Sequence, residues 1–299
     1  MRILLAGADG QVGFELRRTL APLGEVMPTT LSGQLPDGGS CLAADFADPS
    51  SLGGLVERTA PDLVVNAAAY TAVDRAEQEP DLAWRINADA PAALAEACAR
   101  RAIPIVHYST DYVFDGSGER PWRETDPAAP LNAYGAGKWA GEQAVRTSGA
   151  AHKIFRLCWV YGPRGSNFLL TMLRLGRERD QLRVVADQVG TPTPAAWIAA
   201  ATAQALIARP QISGTWHLAA GGQASWFEFA SEIFRQAATS GVIQRAPEVQ
   251  AITTADFPTP ARRPAWSVLD TTALAEDFDI RLPDWRTGVT QCLESLSSA

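Results

Sequence analysis

Apolar strands and amphipathic helices alternate through the first half of this 299-residue chain, and that rhythm constrains its fold more than any other feature. Continuous apolar strands are predicted at residues 2–6, 62–68 and 103–110. Helical spacing is predicted between them, most clearly at residues 14–20 and 86–101. Strands that are apolar on both faces are typical of parallel sheets with helices packed on both sides. The sequence therefore predicts an α/β fold with a doubly wound parallel sheet.

Net charge and composition exclude several classes of protein. Lys and Arg number 26 and Asp and Glu 33, so the net charge of −7 predicts no basic surface for nucleic acid or an anionic membrane. No apolar run reaches the roughly eighteen residues that a membrane span needs, and the first residues do not resemble a signal peptide. The cysteines lack the spacing of a disulfide framework or a zinc site: Cys41, Cys98, Cys158 and Cys292. We expect a cytoplasmic protein.

A glycine-rich turn stands between the first predicted strand and the first predicted helix. Gly7, Gly10 and Gly13 are spaced three apart, and glycines at such a turn let the backbone approach a pyrophosphate. The helix that follows offers free N–H groups and the positive end of its dipole to the phosphates. An acid that bonds the ribose is expected about twenty residues on. Thr30 stands in that region with other hydroxyl residues, so the sequence admits both NADPH and NADH.

A tyrosine and a lysine four residues apart form the second chemical motif. Tyr134 and Lys138 share one face if residues 132–138 are helical, and an adjacent ammonium is expected to lower the pKa of the phenol. Gly135, Gly137 and Gly141 are poor helix residues, which indicates close approach of a ligand or another backbone. Thr110 ends a predicted strand about two dozen residues upstream, at the sheet edge where ligands bind. Together these groups could orient and protonate a carbonyl oxygen during hydride transfer.

The chain resembles the extended short-chain dehydrogenase/reductases and, more narrowly, the dTDP-4-dehydrorhamnose reductase family. The most specific matches are Ser-Thr-Asp-Tyr-Val-Phe at residues 109–114 and Pro-Ala-Arg-Arg-Pro at residues 260–264. Further matching stretches lie at residues 7–13, 65–74, 134–138, 156–161 and 187–190. The resemblance therefore covers essentially the whole chain, and it implies a Rossmann-type sheet with a smaller C-terminal α+β domain.

That resemblance implies reduction of the C4 ketone of dTDP-4-dehydro-β-L-rhamnose to dTDP-β-L-rhamnose by NADPH or NADH, in dTDP-L-rhamnose biosynthesis for cell-surface polysaccharide. It implies that Tyr134 donates the proton, that Lys138 tunes it and holds the nicotinamide ribose, and that Thr110 orients the ketone. The implied substrate contacts are Thr110, Asp111 and Trp159. The cofactor contacts, including those at the glycine turn, are Gly7, Gly10, Gln11, Val12, Gly13, Thr30, Asp45, Phe46, Ala69, Tyr70, Thr71, Tyr134 and Lys138.

Two further expectations concern charged side chains. We hypothesise that Arg263, with its neighbour Arg262, contacts the dTDP diphosphate; the alternative is that Arg263 pairs internally. Some members of the resembled family bind magnesium through carboxylates of two subunits. Glu15 and Glu294 could supply two such groups, but residues 194–197 are apolar where a third is needed, so no metal site is expected.

Other functions on the same fold remain open. A sugar-nucleotide 4,6-dehydratase is disfavoured, because Tyr112 stands where that family has a glutamate acid/base. Another nucleotide-sugar 4-reductase is compatible with the motifs, as is a 4-epimerase, which would recycle its cofactor instead of consuming it. A non-enzymatic dinucleotide-binding regulatory subunit is disfavoured by the presence of Thr110, Tyr134 and Lys138.

The alternating rhythm loosens after about residue 163, which predicts a change of domain. We expect residues 1–163 to form mainly the NAD(P)-binding domain and residues 164–299 mainly the substrate-binding domain, with some elements returning to the first. The scattered tryptophans of the second part are expected to pack in the core or between domains. The sequence leaves room for a homodimer.

Overall fold

The computed structural model describes residues 1–297 as alternating strands and helices. The strands are β1 (Arg2–Ala6), β2 (Glu25–Thr30), β3 (Leu42–Ala43), β4 (Leu63–Asn66), β5 (Ile105–Thr110), β6 (His152–Leu157), β7 (Val160–Tyr161), β8 (Gln181–Val185), β9 (Val189–Gly190), β10 (Thr193–Pro194), β11 (Gly214–His217), β12 (Ala224–Ser225) and β13 (Glu248–Ile252). The helices are α1 (Gln11–Leu20), α2 (Ser50–Thr59), α3 (Val73–Ala76), α4 (Pro80–Trp84), α5 (Ala90–Arg100), α6 (Ala133–Thr147), α7 (Phe168–Glu178), α8 (Ala195–Ala208), α9 (Trp226–Thr239), α10 (Thr272–Phe278) and α11 (Trp285–Ser297). Short 3-10 turns lie at Ala21–Leu23, Asp111–Val113 and Thr254–Asp256, and a π-helical turn lies at Arg85–Asp89.

Seven of the strands in residues 1–297 form one parallel sheet with the order β3-β2-β1-β4-β5-β6-β11. The chain winds outward in one direction from β1 and then in the other from β4, which confirms the predicted doubly wound α/β fold. Ligands of such sheets bind outside the carboxyl ends of the strands, where the strand order reverses. In this molecule that point lies between β1 and β4.

Both faces of the sheet are buried, as the apolar strands predict. Along β1, Ile3 and Leu5 face a core formed with α1 and α8, whereas Leu4 and Ala6 face a second core formed with α2 and α5. This alternation follows from the two-residue period of a strand. Helices on both sides therefore hold the carboxyl ends of the strands in fixed positions.

The second half of the chain contributes to both parts of the molecule. α8 packs on α1 and β11 pairs with β6, so these elements extend the first core and the sheet. α7, α9 and α11 enclose a separate core that includes Leu169, Phe229 and Trp285. No helix within residues 1–297 is long and apolar enough to cross a membrane. The predicted boundary near residue 163 stays a prediction.

Candidate active site

A cleft of about 680 Å³ lies at the carboxyl ends of β1, β2, β4, β5 and β6. Segments that precede α7 and begin α9 form its other wall. The predicted site residues that line it are Gly7, Gly10, Gln11, Val12, Thr30, Asp45, Phe46, Ala69, Thr71, Thr110, Asp111, Tyr134, Lys138 and Trp159. Gly13, Tyr70 and Arg263 do not line it. The sheet edge therefore brings together most of the residues that the motifs single out.

The glycine turn is shaped by contacts between backbone segments. Gly7 has φ +72°, and a Cβ on it would lie 2.6 Å from the backbone nitrogen of Ala68. A Cβ on Gly13 would lie 1.9 Å from the carbonyl oxygen of Gly7, so Gly13 serves the packing of α1 on β1 rather than the cleft. A Cβ on Gly10 would meet only this same oxygen, at 3.4 Å. Gly10 thus leaves the N–H groups of the first turn of α1 open to the cleft.

The side chain of Gln11 is fixed by a segment from the second half of the chain. Asn167 Nδ2 donates to Gln11 Oε1 at 2.8 Å, and Asn167 Oδ1 accepts from the N–H of Leu170 at 3.0 Å as the N-cap of α7. Gly165 lies against Gln11, since a Cβ on it would stand 3.3 Å from Gln11 Cγ. The start of α7 is therefore tied to the start of α1 across the cleft.

The hydroxyl of Thr30 is already bonded within the turn that follows β2. It donates to the carbonyl of Gln34 at 3.1 Å and accepts from the N–H of Gln34 at 3.2 Å. Leu31, which is 69% exposed, lines the cleft next to it. Asp45 accepts from the N–H of Ala47 at 2.8 Å and so shapes the opposite wall. A contact of Thr30 with the ribose stays a prediction.

The π-helical turn before α5 clamps the segment that follows β4. Asn87 Oδ1 accepts from the N–H of Tyr70 at 2.9 Å, and Asn87 Nδ2 donates to the carbonyl of Tyr70 at 3.0 Å. The phenol of Tyr70 donates to Glu79 at 2.6 Å, outside the cleft. Ala69 and Thr71, on either side of Tyr70, line the cleft instead. The predicted helical stretch over residues 86–101 is confirmed as far as Arg100, and around Asn87 it widens into a π turn.

Glycines allow α6 to pack against other backbone segments, as the sequence predicted. A Cβ on Gly135 would lie 2.3 Å from the carbonyl oxygen of Tyr112, and one on Gly141 would lie 2.2 Å from that of Asn87. Asn132 caps the helix, since its Oδ1 accepts from the N–H of Gly135 at 2.8 Å. These contacts set the position of Tyr134 relative to the end of β5.

Burial sets the pKa values of the Tyr134–Lys138 pair. The Lys138 ammonium donates to the carbonyl of Tyr108 at 2.5 Å, and burial lowers its pKa to about 8 against the opposing influence of Glu142. Desolvation raises the pKa of Tyr134 to about 12, and a hydrogen bond with Thr110 offsets part of that rise. The predicted lowering of the pKa of Tyr134 is therefore wrong, because desolvation is the largest influence and the charge of Asp111 acts in the same direction. The phenol keeps its proton at neutral pH.

A hydroxyl, a carboxyl and a thiol meet at the end of β5. Thr110 Oγ1 donates to Asp111 Oδ1 at 2.9 Å and accepts from the N–H of Tyr112 at 3.2 Å. Cys158 Sγ donates to Asp111 Oδ2 at 3.3 Å. Burial raises the pKa of Asp111 to about 6, and hydrogen bonds from Ser267, Cys158 and Thr110 oppose that rise. Thr110 and Asp111 thus lie in one hydrogen-bonded chain beside Tyr134.

Two stacked tryptophans line the same cleft as Tyr134. The rings of Trp159 and Trp226 lie 3.5 Å apart between centroids and are inclined by only 5°. Trp159 has φ +43°, and Gly190 makes room for its ring, since a Cβ there would lie 2.6 Å from Trp159 Cε2. Trp226 Nε1 donates to Gln188 Oε1 at 3.2 Å. Sequence reasoning missed Trp226, which lines the cleft, although Gln188 and Gly190 belong to a motif that it singled out.

Arg263 pairs internally, outside the cleft. Its guanidinium donates to both carboxylate oxygens of Asp74, at 2.7 and 3.0 Å, and to Thr259 Oγ1 at 2.6 Å. The carbonyl of Arg262 accepts from Asn132 Nδ2 at 2.8 Å. The strap, defined as residues 258–264, is therefore tied both to the segment after β4 and to the cap of α6. A contact of Arg263 with the diphosphate stays a prediction.

Comparison with known proteins identifies the family to which this chain belongs. The family model described as the RmlD substrate binding domain matches residues 1–298. A dTDP-4-dehydrorhamnose reductase of Burkholderia thailandensis is 47% identical over 309 residues, which cover 100% of both chains. The chain belongs to the dTDP-4-dehydrorhamnose reductase family.

Solved structures of this family have the same fold. A dTDP-4-dehydrorhamnose reductase of Clostridium acetobutylicum is 37% identical, with a TM-score of 0.89 over 99% of this chain and 100% of that one. One from Bacillus anthracis, solved in complex with NADP, is 34% identical, with a TM-score of 0.88 over 98% of this chain and 99% of that one. These structures confirm the family resemblance that the motifs indicated.

The residues of the cleft fit the dinucleotide that this family uses. The open N-terminus of α1 provides the N–H groups that hold a pyrophosphate. Two buried hydroxyls of cleft-lining residues, Thr29 Oγ1 and Ser109 Oγ, have no hydrogen-bond partner within residues 1–297. Lys138 and Tyr134 stand at the other end of the same cleft. A cofactor that spans from α1 to α6 would therefore meet a suitable group at each end.

The described part of the chain contains neither a cluster of metal ligands nor a disulfide bond. Residues 1–297 contain no group of three or more His, Cys, Asp or Glu arranged to hold a metal ion. All four cysteines lie within that range and are reduced, and Cys98, Cys158 and Cys292 are buried. Burial raises the pKa of Cys98 and Cys292 to about 12, which makes them poor nucleophiles.

Proposed function

We propose that this chain reduces the C4 ketone of dTDP-4-dehydro-β-L-rhamnose to dTDP-β-L-rhamnose with NADPH or NADH, in dTDP-L-rhamnose biosynthesis for cell-surface polysaccharide. One observation carries the proposal: a single cleft holds a phosphate-accepting helix start at one end and Thr110, Tyr134 and Lys138 at the other. Family membership over the whole chain supports the substrate class.

The side chains divide the chemistry among them. The bound dinucleotide supplies the hydride. Tyr134, which keeps its proton at neutral pH, gives that proton to the ketone oxygen as negative charge develops there. Lys138 holds a positive charge close to the phenolate that is left and bonds the nicotinamide ribose, and Thr110 orients the ketone. These groups act where burial excludes water and strengthens each charge interaction.

The other proposed contacts divide between the cofactor end and the sugar end of the cleft. Gln11 and Val12 would lie against the pyrophosphate, and Asp45 and Phe46 would lie beside the adenine. Ala69 and Thr71 would lie along the middle of the cofactor. Asp111 and Trp159 would contact the sugar nucleotide. This assignment gives the first half of the chain to the cofactor and the Trp159–Trp226 wall to the sugar.

Replacement of Tyr134 by Phe tests the assigned proton donor. We expect Tyr134→Phe to lower turnover about 100- to 10,000-fold, the usual contribution of general acid catalysis, with little change in NADPH affinity. Turnover is measured by cofactor oxidation and affinity by fluorescence titration. Tyr161→Phe is the matched control, because the Tyr161 phenol is buried outside the cleft with only a 3.4 Å bond to a carbonyl. Near-normal turnover in Tyr134→Phe would contradict the role.

Cofactor oxidation in the presence of the keto sugar tests the reaction itself. The purified chain is mixed with dTDP-4-dehydrorhamnose made in the same tube, with either NADPH or NADH, and the product is identified by NMR. Stoichiometric oxidation with formation of dTDP-rhamnose supports the proposal. Exchange at C4 without net oxidation would favour the epimerase, and dinucleotide binding without turnover of any nucleotide sugar would favour the regulatory subunit.

Three broader expectations remain predictions. The division into cofactor and substrate domains near residue 163 is tested by dinucleotide binding after substitutions on either side of it. A homodimer is tested by light scattering of the purified protein. A cytoplasmic location is tested by cell fractionation.

A further inference from the structure

The carboxyl of Asp111 is held by neutral donors alone. The side chain is almost fully buried, with Asp111 2% exposed, and no Lys or Arg of residues 1–297 forms an ion pair with it. Thr110 donates to its Oδ1 at 2.9 Å and Cys158 to its Oδ2 at 3.3 Å, and Ser267 also hydrogen-bonds it. Such a carboxyl can exchange its role from acceptor to donor by taking up one proton.

The hydroxyl of Thr110 has one hydrogen and two lone pairs, so its bonds can be counted. One lone pair accepts from the N–H of Tyr112 at 3.2 Å. When Asp111 is ionised, the hydrogen of Thr110 points to Asp111 Oδ1 at 2.9 Å. That hydrogen is then turned away from a ketone in the cleft.

Protonation of Asp111 reverses this chain of hydrogen bonds. The carboxylic acid donates to the second lone pair of Thr110. The hydrogen of Thr110 then points into the cleft, which Tyr134 also lines. The reversal takes up one proton from solvent on Asp111, and Tyr134 remains the group that gives its proton to the product.

We propose that Asp111 is a positioning residue whose protonated carboxyl turns the hydroxyl of Thr110 toward the ketone. Cys158 and Ser267 hold that carboxyl in place. The proposal rests on the reductase function proposed above.

The groups around Asp111 set the expected direction of the pH dependence. Burial raises the pKa of Asp111 to about 6, and burial also raises the pKa of the facing phenols, Tyr112 and Tyr134, so both stay neutral there. Arg263, near Tyr112, is paired with Asp74, and Lys138 is bonded to the carbonyl of Tyr108. We therefore expect kcat/KM to fall as the pH rises through about 6, with a separate loss near 8 as Lys138 loses its proton.

Removal of one donor from the ionised carboxylate provides the test. Ser267→Ala and, separately, Cys158→Ala should each shift the fall in kcat/KM near pH 6 upward by about one pH unit, because a hydrogen bond that stabilises the charged form of Asp111 is lost. The separate loss of kcat/KM near pH 8 should stay in place. Asp111→Asn should lower kcat/KM through the lost sugar contact. It should also abolish the fall in kcat/KM near pH 6. Cys98→Ala is the control, because Cys98 is buried in the core on α5.

Two results would overturn the inference. One is that the fall in kcat/KM near pH 6 is unshifted in both Ser267→Ala and Cys158→Ala. The other is that this fall persists in Asp111→Asn. A second readout needs no turnover. The infrared band of a protonated carboxyl should titrate near pH 6 in the parent protein and be absent in Asp111→Asn. If this band titrates but no keto sugar is reduced, the proposed reaction has failed while the protonation of Asp111 stands; if the sugar is reduced and the band is missing, the inference alone has failed.

Discussion

The two ends of the cleft are fixed by different kinds of contact. At the cofactor end, backbone meets backbone: a Cβ on Gly13 would stand 1.9 Å from the carbonyl of Gly7, six residues earlier. At the sugar end, side chains from distant segments meet, as in the stack of Trp159 on Trp226 and the pair of Arg263 with Asp74. Gly13 at the cofactor end therefore tolerates no added atom, whereas the sugar end depends on side-chain pairs that can be removed one at a time.

Gly13→Ala should break the cofactor end and produce the largest loss of stability. The added methyl requires α1 to move from β1, and overpacking of this kind costs up to about 3 kcal/mol. We expect a clear fall in the free energy of unfolding, measured by urea denaturation.

Gly10→Ala is the matched control for that prediction. Gly10 has φ −71°, and its added Cβ would meet only the carbonyl of Gly7 at 3.4 Å, so the fold should hold. Dinucleotide affinity should instead fall about tenfold, since the methyl would stand where the pyrophosphate approaches. Equal stability losses in the two variants would contradict the distinction between a packing glycine and a binding glycine.

Trp226→Ala should weaken the sugar end without touching the cofactor end. Loss of the stacked ring removes about 1–2 kcal/mol of packing, so we expect KM for the nucleotide sugar to rise about 5- to 30-fold. NADPH affinity should not change. Trp84→Ala is the control, because Trp84 is 46% exposed on α4 and does not line the cleft. A change in NADPH affinity with constant KM would place Trp226 in the cofactor end instead.

The same contrast explains how far the sequence could predict the site. Glycine spacing is a local requirement, so Gly7 and Gly13 identify the turn, and close approach at Gly135 and Gly141 follows from poor helix formers in a helix. The π turn could not be predicted, because it depends on the bonds of Asn87 to Tyr70, 17 residues away. Trp226 could not be distinguished from a core tryptophan, because its partner lies far back in the chain.

Electrostatic effects were predicted less well than geometry. The spacing of Tyr134 and Lys138 placed both side chains in one cleft, yet the direction of the tyrosine pKa depends on how completely its surroundings exclude water. That exclusion is a tertiary property built from several segments. The hydroxyl of Thr30 is a similar case, since its bonds to Gln34 arise from the shape of the turn after β2.

Asp74→Asn and Arg263→Ala should have the smallest effects and sharpen the comparison at the sugar end. Because Asp74 is 40% exposed at its side chain, loss of the ion pair should cost no more than about 1 kcal/mol in either variant. Asp74→Asn breaks the pair but keeps the guanidinium. If Arg263 contacts the diphosphate of the nucleotide sugar, Arg263→Ala should therefore raise KM for that sugar, whereas Asp74→Asn should not. We expect that difference, about tenfold for one lost charge-assisted bond. Equal KM values in the two variants would mean that Arg263 only stabilises the position of the strap.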